Sequence, residues 1–137
     1  MAAITPSAQL IAVLEALAAA DYAAVTMDLF QNDVNPTINT VLADLDVATY
    51  TGYAQKTALD FGGAFFNIDG NGEMDLPSQQ FDHGASGVAN NIYGFYVQKT
   101  GGGLLYAERF ESAPIPMIDT TNSIVVLSRF ICQNIGS

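Results

Sequence analysis

A chain of 137 residues is the size of one compact domain, and half of its residues are hydrophobic, enough to build a core without disulfides or a structural metal. Only 13% are charged, and acids outnumber bases 14 to 4 for a formal net charge of -10. Nucleic acid and anionic membrane surfaces both require clustered Lys and Arg, so neither is an expected partner, and the high hydrophobicity argues against intrinsic disorder.

The first twenty residues resemble a signal peptide only in the small residues Ala18, Ala19 and Ala20. No Lys or Arg precedes the apolar run, Glu15 interrupts it, and it is too short to span a bilayer. The pattern predicts an amphipathic helix over residues 6–20, capped by Thr5 and opened by Pro6, whose missing N–H costs nothing at the first helical position. Leu10, Val13, Leu14 and Leu17 recur at the i, i+3, i+4, i+7 spacing of one apolar stripe. Residues 1–22 are therefore read as a docking arm and residues 23–137 as a single antiparallel β domain.

From residue 23 onward short β-type segments replace the helical period. Val25–Phe30 alternates and is stopped by Asn32-Asp33 and Asn35-Pro36; residues 49–53 are aromatic and β-branched around Gly52. Residues 65–68 and 73–76 flank Gly70, Asn71 and Gly72 as a hairpin in which these three supply positive φ. Residues 92–98, 104–110 and 123–130 are the strongest strand candidates, with glycines 101–103 as a turn and Pro114 and Pro116 marking an edge or crossover. Many short strands with glycine-rich turns predict a mainly β fold, an antiparallel sandwich or barrel carrying one N-terminal helix.

Several strands are apolar on both faces: Ile92, Tyr93, Phe95, Tyr96 and Val97; Ile124 to Leu127; Leu104, Leu105 and Tyr106. Such strands need cover on both sides, from the centre of the core or from a subunit interface. With a mean hydropathy of +0.24 and few charges, an oligomer is expected. Phe95, Tyr96 and Leu105 are candidate interface anchors, with ordinary core packing as the alternative.

Catalytic motifs are missing. Residues 84–88 start like a nucleophile elbow but lack its final glycine, and His83, the only histidine, reads as a satisfied surface residue in a polar loop rather than a base for Ser78 or Ser86. Lone Cys132 lies in an apolar setting and packs as a small hydrophobe. Asp44 and Asp46 would share a face of an extended segment, but isolated surface acids are the commoner reading. Arg109 lies beside Glu108 and Glu111, an expected ion pair. The expectation is of no enzyme, no cofactor and no metal. One stretch resembles part of an EF-hand calcium loop: Asn67, Asp69, Asn71 and Asp75 fall at loop positions 1, 3, 5 and 9 with Gly72 at 6. Position 12 is Ser78 instead of the bidentate glutamate, and Pro77 precedes it, so a hairpin turn is the favoured reading.

Taken together, several strings give the chain a resemblance to a known family. These are Leu29-Phe30-Gln31-Asn32-Asp33-Val34-Asn35-Pro36-Thr37, Leu42-Ala43-Asp44-Leu45, Tyr50-Thr51-Gly52-Tyr53-Ala54, Ile92-Tyr93-Gly94-Phe95-Tyr96-Val97 and Leu104-Leu105-Tyr106-Ala107-Glu108-Arg109-Phe110. In this order they resemble a family of small tailed-bacteriophage virion proteins. The resemblance implies a cement or decoration protein that forms trimers, clamps neighbouring major capsid subunits on the outer shell and is assembled in the host cytoplasm. A tail-associated or receptor-binding virion component and a small calcium- or glycan-binding β module are the alternatives.

Overall fold

The computed structural model describes residues 23–66, 70–85, 87–99 and 102–132; the helix expected over residues 6–20 lies outside them. The described chain is mainly β, built of antiparallel sheets none of which closes into a barrel. Eleven strands are described: β1 (Val25–Phe30), β2 (Lys56–Leu59), β3 (Phe65–Phe66), β4 (Gly72–Asp75), β5 (Gln79–Asp82), β6 (Asn90–Ile92), β7 (Gly94–Gln98), β8 (Leu104–Arg109), β9 (Ile115–Met117), β10 (Ser123–Val126) and β11 (Arg129–Cys132). A four-stranded sheet has the order β2-β1-β7-β8, a three-stranded one β11-β4-β3, and β10-β5 and β6-β9 form two-stranded ladders.

These pieces derive from two long bent ladders. Residues 72–82 run against 123–132: Cys132 lies opposite Gly72 and Arg129 opposite Asp75, then Val126 opposite Gln79 and Ser123 opposite Asp82. The Leu76 N–H donates to the Ser128 carbonyl at 3.0 Å, which leaves Pro77 and Ser78 facing Leu127 alone. That is a β-bulge, and it falls where proline has no N–H to give the ladder. The second ladder pairs β7 with β8 and β6 with β9, and the five residues from 110 to 114 bulge out between them.

The main core lies between the four-stranded sheet and the 72–82/123–132 ladder, with Val25, Met27, Leu29, Phe95 and Val97 meeting Phe81, Ile124 and Val126. The opposite face of β1 and β7 is also covered. Phe30, Leu45 and Tyr96 form a second buried cluster with Val34 and Leu42, supplied by residues 31–47, which leave β1 and fold back over the sheet. The two-sided apolar character of 92–98 is thus answered within the chain. Phe95 is 2% exposed and Tyr96 5%, so neither is available as the surface anchor considered above.

The return of residues 31–47 is held by polar side chains acting as backbone. Asn32 donates to the Asp44 carbonyl at 2.8 Å and accepts from the Asp46 N–H at 2.9 Å. Gln31 donates to the Val47 carbonyl at 2.9 Å. Where β2 leaves β1 after Met27, the outer hydrogen bonds of Leu29 are taken over in turn: its N–H donates to the Tyr53 hydroxyl at 3.1 Å, and its carbonyl accepts from the Ala48 N–H at 2.9 Å. The Tyr53 hydroxyl donates in turn to buried Asp28 at 2.5 Å, whose other oxygen accepts from Gln55 at 2.7 Å. Both carboxylate oxygens of buried Asp28 are thus paired, which is what burial demands.

Some expectations change. Residues 49–53 form a turn, closed by the Tyr53 N–H on the Tyr50 carbonyl at 3.0 Å with Gly52 at φ 84°, because their polar groups cap β1 instead of joining a sheet. Of the three residues expected to supply positive φ in the hairpin turn, Gly70 does so and Asn71 and Gly72 do not. Residues 42–44 form a 3-10 turn in which Asp44 accepts from the Val41 N–H, so Asp44 and Asp46 do not share an extended face. Strands β2, β5 and β9 are not legible in the hydropathy pattern.

Gly94 sits under the Phe30 ring: a Cβ there would lie 2.1 Å from the Glu108 carbonyl oxygen and 2.6 Å from the ring. Gly94→Ala is expected to destabilise the fold by about 3 kcal/mol, the upper end of overpacking costs, read as a lower urea midpoint at unchanged slope.

Candidate interaction surface

Parity along β10 and β11 is unbroken, so Ile124, Val126, Ser128 and Phe130 face inward while Val125, Leu127, Arg129 and Ile131 face outward. Three of the four outward residues are large and apolar, with exposures of 57% for Val125, 66% for Leu127 and 47% for Ile131. Cross-strand pairing sets exposed Phe65 in the same row as Ile131, with Glu73 between them. The result is an apolar strip along an outer strand, a feature that marks association surfaces when it is contiguous.

The four-stranded sheet ends at β8, whose outer edge is unpaired among the described residues. The Phe110 N–H donates to the Tyr93 carbonyl, and ladder alternation then turns the main-chain groups of Ala107 and Arg109 away from β7. A groove of about 480 Å³ runs beside this edge, lined by Pro36, Thr37, Ile38, Thr40 and residues 104–107. Ile38 stands fully exposed at its rim. Leu105 lies in this groove, so of the three candidate anchors it alone remains at the surface. On the other side of β8 the Tyr106 hydroxyl is hydrogen-bonded to Ser128, and burial pushes the phenol up to about 12.

Among the described residues, the polar side chains singled out in the sequence take separate places. His83 is buried with both ring nitrogens against main-chain carbonyls, so it is no surface residue and neither nitrogen is free to serve Ser78. Ser86 lies outside the described residues. Arg109 pairs with Asp33 at 2.6 Å and with the Val34 carbonyl at 3.2 Å, not with Glu108 or Glu111. That contact fastens the start of residues 31–47 to the sheet edge. The main chain of Cys132 lies opposite Gly72 at the end of β11. No cluster of three or more metal-ligating side chains occurs, and no helix is long and apolar enough to cross a membrane, among the described residues.

Of the calcium-loop positions, Asn67 and Asp69 lie outside the described residues. Asp75 sits in β4 opposite Arg129, with the carboxyl of Glu73 beside it on the same strand face. The sequence reading missed this carboxyl pair; the Glu-x-Asp spacing in a strand, which puts both groups on one face, was its only signal. Arg129 approaches Glu73 at 3.9 Å on that face. Comparison with known proteins adds no relative: no family model, curated protein or solved structure matches the chain.

Burial, and then the hydrogen bond and charge of Glu73, push the Asp75 carboxyl up to about 6. Below about 4 it is protonated in both folded and unfolded chains. As pH rises from about 4 to about 6 the unfolded chain releases its proton first, so this group's contribution to stability falls across that window and is flat above it. Asp75→Asn is expected to remove the fall, measured as urea midpoints at a series of pH values.

Proposed function

We propose that this chain is a non-enzymatic structural protein of a tailed-phage virion, a cement or decoration protein. In this reading it self-associates, trimers favoured, and clamps neighbouring major capsid subunits on the outer shell. The observation that carries the reading is the apolar strip of Val125, Leu127 and Ile131 on an outer strand of a chain with so few charges. A surface of this kind is unfavourable in a free monomer and suits a permanent contact, where interfaces resemble a core cut in two. The edge of β8 and its groove offer a second site of the same character, one that can accept an added strand. The acidic balance favours the outer surface over the DNA-lined interior. The order of short strings resembling the phage family supplies the class of assembly.

The test is the mass of the purified chain by light scattering behind a sizing column, with and without calcium. The expected result is a multiple of 14.5 kDa, unchanged by calcium. Leu127→Asp with Ile131→Asp is expected to reduce it to the monomer without loss of β structure by circular dichroism. Phe95→Ala, by contrast, is expected to cost about 3–5 kcal/mol of folding stability as a buried-aromatic truncation. A monomer that gains stability from calcium would overturn the reading in favour of a ligand-binding module.

A further inference from the structure

His83 follows β5 and is 4% exposed. Its Nδ1 lies 2.7 Å from the Gly84 carbonyl oxygen and its Nε2 2.9 Å from the Val88 carbonyl oxygen. A carbonyl oxygen only accepts, and a neutral imidazole carries one N–H, so two such bonds require the doubly protonated ring. The two carbonyl-bearing residues are themselves tied to one neighbour. The Gly84 N–H donates to the Thr51 carbonyl at 2.8 Å, the Thr51 N–H to the Val88 carbonyl at 3.0 Å, and the Val88 N–H to the Thr51 hydroxyl at 2.7 Å.

From this geometry we propose that His83 is a proton-operated joint, which fastens Gly84 and Val88 around Thr51 when the ring is charged and loosens them when it is neutral. A neutral ring turns one lone pair toward a carbonyl oxygen at hydrogen-bond distance, replacing an attraction with a repulsion in a buried setting. The Val88 carbonyl is shared between the ring and Thr51, so its displacement is felt in the 50–53 turn. That turn also carries Tyr53, whose hydroxyl supports Leu29 of β1. The joint therefore connects a single proton to the edge of the central sheet.

Groups from several segments surround the ring. Tyr50 stacks on it with ring centroids 5.2 Å apart and an interplanar angle of 15°. The turn that follows β9 meets the His83 main chain, whose backbone N–H donates to the Asn122 carbonyl at 3.4 Å. Asp119 in that turn is held below the usual carboxylate range by hydrogen bonds from the Thr121 hydroxyl and N–H. Asp82 precedes His83 on β5, and the sequence between Gly84 and Val88 contains no ionisable side chain. The carboxylates carried by the flanking segments are thus those of Asp82 and Asp119.

The experiment is a pH titration of the full ¹⁵N-labelled chain by NMR from about pH 8 to about pH 5, the range in which histidine changes charge. Long-range correlations of the imidazole ring are read beside the amides of Thr51, Gly84 and Val88. At the acid end both ring nitrogens are expected to carry protons. As pH rises one is lost, the three amides shift with the ring, and Thr51 amide exchange accelerates by about tenfold beyond its intrinsic change. His83→Gln is expected to abolish the coupled shifts; if that variant does not fold, the titration of the native chain decides alone. A ring that is neutral throughout, one that keeps both protons to pH 8, or one that titrates without moving Thr51, Gly84 and Val88 would each overturn the proposal.

Discussion

Strand β7 is apolar on both faces, and the need to cover both determines the course of the rest of the chain. One face of Phe95 and Val97 is met by the second ladder through Phe81, Ile124 and Val126. The other face has no second sheet to meet, and the chain solves this by sending residues 31–47 out from the end of β1 and back over Tyr96. Gly94 allows the Phe30 ring to lie directly on the β7 backbone at the point where this cover begins. A sandwich with one conventional core and one cover of irregular chain is the outcome. The price is an excursion with almost no ladder hydrogen bonds of its own, and its polar side chains must supply them.

Those side chains are the ones that stand out in the sequence as polar punctuation. Asn32 occupies the place of a paired backbone residue between Asp44 and Asp46, and Asp33 holds Arg109 at the far edge of the sheet. Tyr53, from the 50–53 turn, satisfies both a main-chain donor on β1 and the carboxylate of Asp28. The string from Leu29 to Thr37 therefore has a local physical reading: an apolar end that plugs the sheet, and a polar continuation that ties the covering segment down.

Legibility followed burial. Val25–Phe30 and residues 94–98, 104–109 and 123–126 were readable because their apolar content is dense, and the hairpin of Phe65 and Glu73 because its turn is rich in glycine. Strand β2 reads Lys-Thr-Ala-Leu and β5 Gln-Gln-Phe-Asp, each with a single buried residue, so no alternation could reveal them. Their strand character comes from partners far away in sequence, Val25 and Met27 for one and residues 123–126 for the other. The outward apolar face of β10 and β11 was visible as two-sided hydrophobicity, but which side lay open depended on the register against β4 and β5. His83 was misread because nothing in Asp-His-Gly announces two carbonyls converging on the ring.

The bulge at Pro77 and Ser78 has a bearing on how this protein can change over evolutionary time. The surplus residue sits on the 72–82 side of the ladder, so the 123–132 strand keeps one parity from end to end and its exposed side chains stay aligned. Loss or gain of a codon within residues 76–79 can be absorbed by reshaping an already irregular corner. The same event at Leu127 would invert every side chain beyond it, turning Ser128 and Phe130 out and Arg129 and Ile131 in. Length variation should therefore accumulate on one strand of this ladder and be purged from the other.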